Sequence, residues 1–244
     1  QDLSNALWAF ARFEHVPGAA FQAEFEEAAV AKITEFNTQS LANVAYAYAS
    51  LALPGAATVL PLVSEHLEKR LEDVGSSESS ARTESSAPTA VELVMVLWAY
   101  ARCGFDPGPE AMALVEKACL SHVREMQPDE LTQYLWASAS LRYRPNASFL
   151  AAAERRAERA PAMYDTESVT LTLWAYATLG LKPSDALLER FADELERAEA
   201  ETFPPKKSAF NPQDLSLGFW SAAVLAWQPR SSEDKKDSSK TELE

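Results

Sequence analysis

A Leu-Trp-Ala-x-Ala motif, or a close variant of it, returns along this chain in fixed register. Its Trp position falls at Trp8, Tyr46, Trp98, Trp136, Trp174 and Trp220. Successive spacings are 38, 52, 38, 38 and 46 residues, which read as one 38-residue period with inserts of 14 and 8. Self-similarity at such a period marks a stacked array of helical units, because one unit cannot bury its apolar face alone. That constrains the chain to an elongated helical repeat, a scaffold suited to binding more than to chemistry.

The flanking positions sharpen the reading. Five residues before the Trp position stand Leu3, Leu41, Leu93, Leu131, Val169 and Leu215; three after it stands Ala in all six copies. Pro17, Pro107, Pro145, Pro183 and Pro229 follow nine after it, and Pro54 one place early. Apolar residues at these offsets predict a first helix that is apolar nearly all round, ended by the Pro that lacks an N–H. On that reading the Trp position is a structural core position. A second, amphipathic stretch follows each Pro, as in Phe21, Phe25, Ala28, Ala29 and Ile33, in Met112, Val115, Cys119 and Val123, or in Leu187, Leu188, Phe191 and Leu195. Its outer face is predicted to carry Glu24, Glu27, Glu65, Glu68, Glu116, Glu154, Glu189, Asp193 and Glu196. Capping signals at Thr38, Pro128-Asp129, Asp165-Thr166 and Asn211-Pro212 open the next first helices.

The expected fold is therefore all-α: an α-solenoid of five helix hairpins plus a sixth first helix, with no strand. The array spans 1–228, with a Ser-rich insert at about 75–88 and a loop at about 200–211, both read as disordered, and 229–244 as a disordered charged tail. The chain starts inside a first helix, since Gln1-Asp2-Leu3 matches Gln213-Asp214-Leu215, so sequence upstream of Gln1 is expected, its content (a targeting peptide or further repeats) left open.

A 47 % hydrophobic content suffices for a core, and no apolar run is long enough to span a membrane. Net charge of −14 argues against a generic phosphate-binding surface. The charge is uneven, however. Acid gathers on the second helices, whereas Arg12 and Arg102 stand four after the Trp position and Arg142 and Arg144 follow in a turn. An inner face of neutral-to-basic character is thus predicted on an acidic protein. Three before the Trp position, Asn5, Asn43 and Gln133 offer amides on one strip of successive first helices, able to read base edges; Met95, Leu171 and Leu217 interrupt that row.

Other features favour bland readings. Cys103 and Cys119 fall at apolar positions and read as two buried thiols rather than a zinc set or disulfide framework. His15, His66 and His122 occupy unrelated repeat positions, and no phosphate-binding glycine loop or nucleophile pattern is present, so no enzyme, metal, cofactor or small-molecule substrate is expected. Asn146-Ala147-Ser148 matches the glycosylation pattern by frequent accident. The last helix holds Phe219 and Trp220, with Trp227 beyond, and calls for cover by a further segment or a partner protein.

The run LxxxLWAxAxLG…P, as in Leu131 to Pro145 or Val169 to Pro183, resembles the octotricopeptide repeat and the related heptatricopeptide repeats of organelle RNA-binding proteins. The resemblance covers residues 1–228. It implies an α-solenoid acting on RNA in mitochondria or chloroplasts. With the acidic composition and few repeats, the expectation is a structural, RNA-associated component of a ribonucleoprotein. The mitochondrial ribosome is the first choice, with contacts to ribosomal RNA and neighbouring proteins. Alternatives are a protein-only scaffold of an organellar complex and, further off, a transcript-specific RNA-binding factor.

Overall fold

Six short αL turns, one per repeat, fix the frame on which everything else hangs. They are visible in a computed structural model that describes residues 2–76, 87–160, 163–201 and 211–226. Its first helices are α1 (Asp2–Arg12), α3 (Thr38–Ser50), α5 (Ala90–Cys103), α7 (Pro128–Ser140), α9 (Thr166–Thr178) and α11 (Pro212–Val224), and each carries one Trp position. Its second helices are α2 (Ala19–Lys32), α4 (Ala56–Ser76), α6 (Pro109–His122), α8 (Ala147–Arg159) and α10 (Asp185–Glu201). This is the expected all-α fold of hairpins, with no strand among the described residues.

Each first helix ends the same way. Glu14, Ala52, Gly104, Arg142, Gly180 and Ala226, all six after the Trp position, have positive φ. In five copies the next N–H reaches back five residues, as from Leu53 to Tyr48 O at 3.0 Å and from Tyr143 to Ser138 O at 2.8 Å. The αL residue itself bonds the carbonyl three before it. This pair of bonds is the Schellman closure, which satisfies carbonyls that the helix leaves open. Only two of the six sites are Gly, so four side chains sit in a conformation that L-residues disfavour. Ala52→Gly, at φ 49°, is therefore expected to stabilise by about 0.5–1 kcal/mol, seen as a higher urea midpoint.

The starts are as regular, nine residues before the Trp position. Asn37, Thr89, Asp165 and Asn211 each accept a bond from the N–H three residues on. Gln127 N–H instead donates to Glu130 Oε2 at 3.0 Å. Two expected caps are thereby corrected by one or two residues: Asn37 caps α3 and Thr38 is already helical, while Pro128-Asp129 lie inside α7. Pro128 suits the first helical position because its missing N–H would go unused there. The expected inserts also shrink, since Gly75 and Ser76 continue α4 and residue 200 lies in α10. Residues 77–86 and 202–210, Trp227, Pro229 and the 229–244 tail lie outside the described residues.

The chain divides into two compact units, Gln1–Phe149 and Leu150–Glu244. In the first, α1, α3, α5 and α7 stack side by side in sequence order, and α2, α4 and α6 form a second layer against them. Ser4 of α1 donates to Ser40 of α3 at 3.1 Å inside this stack. In the second unit, α9 packs on both α10 and α11. Its core gathers Ala157, Tyr164, Val169, Leu173, Leu187, Leu188 and Phe191. Second helices feed the core through one row at i, i+4 and i+8: Phe25, Ala29, Ile33; Val59, Val63, Leu67; Ala111, Val115, Cys119; Phe149, Ala153, Ala157. Such a row lies along one face of an α-helix.

Candidate nucleic-acid interface

The Trp position, expected in the core, is not fully buried in any copy. Trp8 and Trp220 are 39 % and 46 % exposed. Tyr46, Trp98, Trp136 and Trp174 are half-buried. The fully buried aromatic residues are others, among them Tyr100, Tyr134, Tyr176, Phe149 and Phe191. Helical geometry gives the reason. Offsets −3, 0 and +4 share one arc of a 3.6-residue helix, so the Trp stands on the same strip as the amides and arginines. The Tyr46 and Trp98 rings meet across the seam of α3 and α5 while keeping part of their surface open to solvent.

In the first unit that strip takes Asn5, Trp8 and Arg12 from α1, and Asn43 and Tyr46 from α3. It continues with Met95, Trp98 and Arg102 from α5, and Gln133 and Trp136 from α7. All are exposed or half-buried. Asn43 Nδ2 donates to Asn5 Oδ1 at 3.4 Å, so two amides of adjacent repeats meet. The Tyr46 and Trp98 rings lie 5.3 Å apart, tilted by 34°. The Arg12 guanidinium sits over the Trp8 ring at 5.7 Å, where the ring face attracts a cation. Arg142 and Arg144 are exposed but stand past the end of α7, in the turn; Arg142 is the αL residue of that turn. They flank the strip rather than belong to it.

The strip changes character in the second unit. The same offsets there hold Leu171 and Trp174 on α9, and Leu217, Trp220 and Val224 on α11. No amide or cation stands at these offsets. The polar, aromatic and cationic combination is thus confined to α1, α3, α5 and α7.

A second pattern went unseen in the sequence. Glu116 and Glu154, expected on the outer acidic face, instead bond to the neighbouring hairpin, while Glu68, expected there too, bonds within its own helix. Glu116 is 3 % exposed and accepts from Tyr143 Oη at 3.1 Å and Asn146 N at 3.0 Å. Asn146 Nδ2 donates to it as well. Glu154 accepts from Tyr176 Oη at 3.0 Å, and Glu68 from Ser64 Oγ at 3.0 Å. Asn146 also caps α8, its Oδ1 accepting from Phe149 N at 2.8 Å, so the sequon asparagine is a structural link. Burial, and secondarily carboxylates of the second helices, hold phenols neutral. Burial first, and then Glu26, push Tyr48 up to about 12. Burial first, and then Glu116, do the same to Tyr143, again to about 12.

That has a pH consequence. An unfolded phenol titrates near pH ~10. With the folded value higher, the folded chain holds the proton longer than the unfolded one. Stability is then full below pH about 10 and falls as pH rises through about 12. Urea midpoints measured across this range should decline, with phenolate absorbance lagging behind that of the urea-unfolded chain. Coincident titration of folded and unfolded chain would contradict the clasp.

Cys119 is buried and its thiol is raised by burial. Cys103 is exposed, not buried as expected, because it precedes the αL turn at Gly104 and faces outward. Both are free thiols. Among the described residues no His/Cys/Asp/Glu group could hold a metal ion, and no helix is long and apolar enough to cross a membrane. No protein-family model matches this chain, and no curated protein matches it.

Proposed function

We propose that this chain is a structural, RNA-associated component of an organellar ribonucleoprotein, with the mitochondrial ribosome as the first assignment and a plastid particle as the alternative. The observation that carries the RNA part is the strip on α1, α3, α5 and α7. The exposed ring of Trp8 and the partly exposed rings of Tyr46, Trp98 and Trp136 offer bases a stacking surface. Asn5, Asn43 and Gln133 offer amides beside them, and Arg12 and Arg102 meet phosphates. The compartment rests on the octotricopeptide resemblance alone.

Two cations make a weak electrostatic anchor against a net charge of −14. This supports local contact with RNA held in a particle, rather than long-range capture of a free transcript. A protein-only scaffold is the second reading. It is favoured by that charge and by α11, whose Phe219 is 75 % exposed; on either reading a neighbouring protein covers α11.

Fluorescence anisotropy with a labelled uridine oligonucleotide of about 20 residues tests the RNA part. Affinity should be measurable at low salt and fall as salt rises. Arg12→Ala and Arg102→Ala together should flatten the log–log salt slope by about 1.4, near 0.7 per phosphate contact on a single strand. Absence of binding at low salt, with nuclease-resistant retention in the native particle, would leave the scaffold reading standing alone.

A further inference from the structure

Offsets −5 and −1 are buried in α3, α5, α7 and α9, at Leu41, Ala45, Leu93, Leu97, Leu131, Leu135, Val169 and Leu173. In α11 the same offsets are Leu215 and Phe219, which are 42 % and 75 % exposed. Beside them opens a cavity of about 430 Å³. Leu173 of α9, Ala192 and Leu195 of α10, and Leu215, Phe219 and Ala222 of α11 line it. The lining is apolar and concave, and it lies wholly within the second unit.

The repeat itself says what fits. In α9 the residues at these offsets, Val169 and Leu173, pack with Leu187, Leu188 and Phe191 of the second helix α10, and α4 packs on α3 and α6 on α5 in the same way along the chain. Each of those helices presents apolar residues at i, i+4 and i+8, as in Val59, Val63 and Leu67 of α4 or Leu187, Phe191 and Leu195 of α10. Charge adds a second condition. Glu196 borders the cavity, and α10 carries Asp185, Glu189, Asp193 and Glu194 against Arg190 and Arg197. An incoming helix with basic flanks is favoured over an acidic one.

We infer that this cavity is a docking groove for a basic amphipathic helix of a partner protein, inserting an i, i+4, i+8 apolar row as the chain's own second helices do. The inference deepens the reading of α11 as a protein-facing surface and is independent of RNA binding by the first unit.

The probe is a labelled peptide of the α10 sequence with every Asp and Glu replaced by Lys. Its control has Ser at the positions of Leu187, Phe191 and Leu195. Binding of the probe to the full chain is expected, weakened at least about ten-fold in the control and in the Phe219→Ser chain, since burial of a large apolar side chain is worth more than about 1.4 kcal/mol. Phe219 is so exposed that its replacement leaves the fold intact, which circular dichroism checks. Equal binding of probe and control would mean charge alone and overturn the inference, as would binding indifferent to Phe219→Ser or no binding at all. A Phe219-dependent doubling of mass in sedimentation would assign the groove to a second copy instead. RNA affinity should be the same in the Phe219→Ser chain, so this test and the RNA test fail separately.

Discussion

Glu116→Ala should destabilise the first unit by about 3 kcal/mol, while Glu116→Gln costs about half of that. The carboxylate sits buried on α6 and collects three donors from beyond α7: Tyr143 Oη, Asn146 N and Asn146 Nδ2. Hydrogen bonds to a charged acceptor are worth more than neutral ones, and removing the acceptor leaves buried donors without partners. The damage would spread, because Asn146 in turn caps α8 through Phe149 N. A glutamine keeps one acceptor oxygen of the right shape but loses the charge and the second acceptor, whose place a donor NH2 takes. Tyr134→Phe is the internal control: its hydroxyl is buried beside this cluster with at most the Ser138 hydroxyl near it and no bond of good geometry, so its removal should cost far less, about 1 kcal/mol or below. Urea denaturation of the three variants gives the comparison. A Glu116→Ala loss no larger than that of Tyr134→Phe would show the clasp to be idle.

Glu116 also marks where sequence reasoning stopped short. A Glu on an amphipathic helix goes to solvent by default, and nothing in helical periodicity distinguishes Glu116 from Glu65 or Glu110. The distinguishing signal was positional. Glu26, Glu116 and Glu154 all stand eighteen residues after their Trp position, with Ser64 and Ala192 in the two remaining second helices. Other features were legible because local chemistry fixes them. The hairpin count followed from the Trp spacing and the Pro column, and the caps at Asp165 and Asn211 from side chains that mimic the next turn. The αL turns were only partly legible. Gly104 and Gly180 announced two of them, but Glu14, Ala52, Arg142 and Ala226 adopt the same backbone without the residue type that signals it. The polar strip was half-read: its amides and arginines were placed on one face, but the Trp that shares their arc was assigned to the interior. A helix apolar at six offsets does not itself declare which arc meets water. The polar residues at −3 and +4 did declare it, for those repeats that carry them.

The second unit separates core from strip most sharply, and a pair of truncations there should show it. Phe191 is fully buried, 0 % exposed, in the cluster with Leu173, Leu187 and Leu188, and its ring lies 5.2 Å from that of Tyr164. Phe191→Ala removes all of that contact and leaves an enclosed gap, a loss of about 3–5 kcal/mol. That approaches the whole stability of a small unit. Trp174 is the larger side chain, yet it is only half-buried on the solvent strip of α9. Trp174→Ala gives back one face to water and leaves no enclosed void, so its cost should be about 2 kcal/mol, close to the area term alone. The order Phe191 above Trp174 runs against side-chain size and against the prominence of the Trp in the repeat. The reverse order, in thermal or urea unfolding of the second unit, would restore the tryptophans to the core. It would also remove the reason for reading their counterparts Trp8, Tyr46, Trp98 and Trp136 as a surface on which bases stack.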